Sequence, residues 1–101
     1  MKQNLSEKTL GIIHASHITI KAMEPYIERY IPEVQIMHLC DDTIQRDNIR
    51  AGAGVIPKVN YYKFAQYAHN LEEAGADLIL LACSTFNYAA ELGRPLVDTP
   101  I

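Results

Sequence analysis

Hydrophobic positions along this chain alternate between two rhythms. Short apolar runs without helical spacing mark three strands, Thr9–His14, Val34–Leu39 and the run Asp77-Leu78-Ile79-Leu80-Leu81-Ala82. The last has no polar alternation and reads as a strand buried on both faces. In the second, Val34, Ile36 and His38 share one face, which makes His38 a satisfied interior histidine. Between the strands, the apolar spacing turns helical. Met23, Ile27, Tyr30 and Ile31 define a helix between Thr19 and Tyr30 that Pro32 stops, and Pro25 places its regular start near Met23. The longest helix is predicted from Pro57 to Ala74, with Tyr61, Phe64, Ala65, Ala68 and Leu71 on one stripe and Gly75 as its stop. A final helix begins near Asn87 and ends at Gly93 and Pro95.

The stretch from Cys40 to Gly54 has no clear period. Asp41, Asp42 and Thr43 suit the cap of a short helical turn, and Ala51-Gly52-Ala53-Gly54 reads as a loop. That loop lacks the spacing and the lysine of a phosphate-binding loop. Residues 1–8 read as a frayed, polar lead-in, and Val97–Ile101 as the approach to a further element.

The resulting order, β-α-β-loop-α-β-α, predicts one α/β domain over residues 1–101, with a parallel sheet of three to four strands between two helical layers. Right-handed crossovers place the strands in the order 2-1-3. A crevice then opens between strands one and three, at the carboxyl ends where the connections diverge. His14-Ala15-Ser16-His17 and Cys83-Ser84-Thr85 fall on its two sides.

Composition narrows the function. The 101 residues carry a net charge of −3 with no basic stripe, which argues against a nucleic-acid partner. No apolar run suits a membrane span or a signal peptide, so the expected location is the cytoplasm. Cys40 and Cys83 are expected to be thiols there. Cys40 ends the second strand, away from the crevice, and reads as a packing residue. His69 should face solvent.

Cys83 carries the candidate chemistry. A thiol at a strand's carboxyl end beside a helix start is placed to act as nucleophile or base, and the Ser84 and Thr85 hydroxyls with helix N–H groups suit a carboxylate. A phosphatase loop would need arginine where Ala89 stands, and a redox pair would need cysteine where Phe86 stands. One cysteine and two histidines are too few neighbours for zinc, so no metal is expected. His14 lies in the predicted crevice, where it is a candidate substrate-binding residue and its charge could tune the Cys83 thiol.

Several segments resemble the N-terminal half of the aspartate/glutamate/hydantoin racemase superfamily. They are Leu10-Gly11-Ile12-Ile13-His14-Ala15, Met23-Glu24-Pro25-Tyr26, His38 with Asp41-Asp42, and Glu73-Ala74-Gly75-Ala76-Asp77 running on to Cys83-Ser84-Thr85. The resemblance spans about Leu10 to Ile101, and the strand ending in Cys-Ser-Thr is its specific part. It implies a flavodoxin-like half of a two-domain fold and a cofactor-independent isomerase, with no pyridoxal phosphate, acting on an amino acid or another small carboxylate. Each domain of such enzymes supplies one cysteine to opposite faces of the α-carbon. By resemblance Cys83 is the catalytic base, Thr85 matches the hydroxyl that holds the substrate carboxylate, Ser84 stands where amino-acid racemases often carry asparagine, and Ser16 matches a substrate-contacting serine. His14-Ala15-Ser16 stands where glutamate racemases carry Asp-Ser, closer to the hydantoin and aspartate branch. Maleate isomerases and malonate decarboxylases share the superfamily. A second domain is expected to be missing, so this half should be inactive unless two copies pair as a homodimer and face their Cys83 residues across one cleft. The competing expectation is a non-catalytic carboxylate-binding domain.

Overall fold

A computed structural model describes residues 4–83 and 86–101. Its elements are β1 (Thr9–His14), α1 (Ile18–Tyr30), β2 (Gln35–Cys40), α2 (Asp42–Ala51), α3 (Lys58–Glu73), β3 (Leu78–Leu81) and α4 (Tyr88–Gly93). All strand pairings are parallel and the order is β2-β1-β3, as the crossover rule requires. Asp77 fixes the β1–β3 register from both sides. Its N–H donates to the Thr9 carbonyl at 2.8 Å, and its Oδ2 accepts from the Thr9 N–H at 2.9 Å.

The two faces of the sheet differ. Ile13, Ile79 and Leu81 meet Phe64, Ala68 and Leu71 of α3 and Ala89 and Ala90 of α4 in one core. Gly11 lets α3 come close, because a Cβ there would sit 2.8 Å from Leu71 Cδ1. At Gly93 an added Cβ would lie 2.6 Å from Phe64 Cε1. Phe64 is fully buried and has no space to yield. Gly93→Ala should therefore cost about 1–3 kcal/mol by overpacking, read as a lower midpoint in urea unfolding.

The opposite face carries Leu10, Ile12 and His14 of β1 under α1. Here β3 departs from expectation. Leu78 and Leu80, which flank buried Ile79 and point the other way, are 49% and 41% exposed, so the strand is buried on one face only. The cause is its place at the sheet edge. Helix α1 joins β1 to β2 and shields that half, and among the described residues nothing covers the other.

Three further expectations change. Helix α1 starts at Ile18, with Pro25 in its interior rather than its first turn. Pro25 cannot donate to the Lys21 carbonyl, but both residues are exposed and water can satisfy that group. The segment after Cys40 is a full helix, α2. Asp41 caps it, accepting from the Thr43 N–H at 2.9 Å, and Ile44 and Asn48 are its buried positions. Part of the lead-in is ordered too, since Asn4 caps a short 3-10 turn over Leu5–Glu7.

The chain after α4 forms a strap. Glu72 accepts the N–H groups of Asp98 (2.7 Å) and Thr99 (2.6 Å) and the Thr99 hydroxyl (2.9 Å). The Ile79 N–H donates to the Pro100 carbonyl at 2.8 Å, on the β3 edge away from β1. Among the described residues no helix is long and apolar enough to cross a membrane.

Candidate functional site

The strand order opens its crevice where the ends of β1 and β3 separate. The backbone holds this region from three sides. The Ala82 N–H bonds the Ile13 carbonyl (2.9 Å), the Asp41 N–H bonds that of His14 (3.0 Å), and the Gln45 N–H bonds that of Ala15 (3.1 Å). The last bond brings α2 to the crevice. A hollow of about 410 Å³ results, lined by Ser16, Thr19, Gln45 and Cys83 with apolar walls from Ile18 and Ile49.

Cys83 is half-buried at the end of β3 and shares this hollow with Ser16. Its thiol donates to Gln45 Oε1 across 3.8 Å. The Phe86 N–H bonds the Cys83 carbonyl at 3.2 Å. Ser84 and Thr85, the expected carboxylate-binding pair, lie outside the described residues. Cys40 also carries a thiol but is exposed at the end of β2 rather than packed. Burial, then the charges of Asp42 and Asp41, raise its pKa and disfavour its thiolate.

His14 is placed differently from its expected position. Its side chain alternates to the α1 face of β1, is completely buried, and lies under the hollow rather than in its lining. Nδ1 contacts Thr19 Oγ1 at 2.5 Å and Nε2 contacts His38 Nδ1 at 2.8 Å. His38 is itself exposed on β2, not interior. Burial, and then the neighbouring His38, lower the His14 pKa from 6.5 to about 4. His14 is therefore neutral near pH 7 and has no charge with which to acidify a thiol.

That shift makes stability depend on pH. The unfolded chain binds a proton at His14 near pH 6.5, whereas the folded chain binds it only near pH 4. The His14 contribution is complete above pH 6.5 and is lost as pH falls from there towards 4. The loss should reach about 3 kcal/mol. Urea unfolding across this window should show the slope in the natural chain and not in His14→Gln.

Thr19 and Gln45 entered the hollow without a sequence signal strong enough to mark them. Thr19 lies in the first turn of α1, just beyond the end of β1, and Gln45 belongs to the helix that had no readable period. Neighbouring Asp41 has a structural task. Burial alone would raise its pKa, but hydrogen bonds from Thr43 and Tyr67 and the Lys63 charge outweigh that and hold it low. Tyr67 is pushed up to about 12 by donating to that carboxylate. Among the described residues the cluster closest to a metal-ligand set is His69, Glu72 and Glu73. It sits at the far end of the sheet, where α3 leads into β3, and Glu72 is engaged by the strap.

No family model matches the chain, and neither does any curated protein or solved structure.

Proposed function

We propose that this chain moves a proton at the carbon next to a carboxylate, without a cofactor, with Cys83 as the base. The reading is an isomerase of the aspartate/glutamate racemase type. One observation supports it above the others: Cys83 shares a 410 Å³ hollow with Ser16 and Thr19, at the strand ends where α/β sheets bind ligands. The resemblance of residues 73–85 to racemase sequences adds the substrate class.

In this reading the Cα–H bond breaks and its proton passes to the Cys83 sulfur. The electron pair is held on the adjoining carboxylate, bound by Ser84, Thr85 and Ser16. Return of the proton to the same face gives exchange without inversion. Racemisation needs a second acid on the other face, supplied by Cys83 of a second copy or by a further domain. Exchange is therefore the direct test. In D2O, aspartate or glutamate should gain deuterium at Cα in the presence of the protein, followed by mass spectrometry. Carboxylate binding detected by calorimetry with no deuterium uptake would replace this reading with a binding domain.

A further inference from the structure

A row of hydrogen-bonded side chains runs from the wall of the hollow to the exposed edge strand. Thr19 stands in the wall, and its Oγ1 donates its proton to the Ser16 carbonyl at 3.0 Å. With that proton committed, Thr19 can only accept from His14, so His14 carries its hydrogen on Nδ1. Neutral His14 then has a bare Nε2, which accepts from the Nδ1–H of His38 at 2.8 Å. His38 lies on edge strand β2 and is exposed. Counting donors thus places the His14 hydrogen on Nδ1 and orients the bonds from His38 through His14 to Thr19.

We propose that His38, His14 and Thr19 form a proton conduit between bulk water and the Cys83 hollow. Water gives a proton to His38 Nε2, and the His38 Nδ1 proton crosses to His14 Nε2. The His14 Nδ1 proton crosses to Thr19 Oγ1. The hydroxyl's original proton leaves the Ser16 carbonyl and turns into the hollow, to the Cys83 thiolate or the substrate carbanion. One proton enters, one is delivered, and each imidazole ends as its other tautomer. The same hops in reverse withdraw a proton and restore the starting state. Such a device suits a site that takes and returns protons while substrate blocks its mouth. A hydrophobic residue at position 14 would fill the space between β1 and α1 equally well, but would conduct nothing.

The use of the conduit in catalysis rests on the reading of Cys83 as a base, whereas its existence does not. Nitrogen-15 NMR of the whole chain at pH 7 tests it. Both His14 and His38 should carry hydrogen on Nδ1. His38→Gln keeps a donor for His14 Nε2 but cannot pass a proton on. It should leave the His14 tautomer unchanged and slow exchange of the buried ring proton with water by roughly tenfold or more. It should also lower kcat for deuterium uptake at Cα, with KM unchanged, and imidazole buffer should partly restore the rate. A His14 proton on Nε2, or ring-proton exchange indifferent to His38→Gln, overturns the conduit. Deuterium uptake that ignores Cys83 overturns the base assignment instead, and ring-proton exchange then decides the conduit alone.

Discussion

Cys83→Ser should slow deuterium uptake at Cα by roughly 10²–10⁴-fold, the range that a positioned acid–base group supplies. Serine is close to the natural shape and keeps a donor facing Gln45, so the hollow should persist. It does not keep the chemistry. A hydroxyl ionises far less readily than a thiol, and only the ionised form removes a proton effectively. Because Cys83 is half-buried, the change should move the unfolding free energy by no more than about 0.5 kcal/mol. Rate and stability therefore separate, and quench-flow or mass spectrometry beside urea titration reads both. A variant that retains the natural rate would remove Cys83 from the chemistry.

The largest stability effect should come from Phe64→Ala, about 3–5 kcal/mol. Phe64 is completely buried on α3, with its ring edge-on to Phe86 at 6.0 Å between centroids and Gly93 against its edge. It joins α3 to the α4 segment, and it is the largest fully buried side chain of its helix. Small domains hold only about 5–15 kcal/mol in total. Calorimetry should find the variant melting far below the natural chain, and a loss under about 1 kcal/mol would show that the cavity collapses. Since Phe86 bonds back to the Cys83 carbonyl, the variant should also loosen the hollow.

Strand positions and their order were legible because they rest on strong signals: short apolar runs and the handedness of parallel crossovers. Helix α3 was legible for the same reason, through Phe64, Ala68 and Leu71. Helix α2 was not, because one of its two buried positions is Asn48, paired with Asn60 at 2.9 Å. A polar residue there breaks the stripe that periodicity detects. Pro25 misplaced the start of α1 because a proline on the solvent side leaves a carbonyl that water can satisfy, whereas one facing the core would bury it. At the site, Cys83 and Ser16 follow from strand ends alone. The orientation of His14 follows from strand alternation with Ile12, which puts it on the α1 face. Its bond to His38 depends on the β1–β2 register, which pairs Ile12 with His38 and which no local pattern encodes.

The position of β1 at the centre of the sheet has a consequence for biosynthesis. Thr9 must wait for Asp77, 68 residues later, before its side of the ladder can close. At ~5–20 residues per second a ribosome takes on the order of ten seconds to supply that partner. Throughout this interval the nascent chain holds Ile12 and Ile13 ready with one edge of their strand unpaired, a natural substrate for chaperones that bind extended apolar segments.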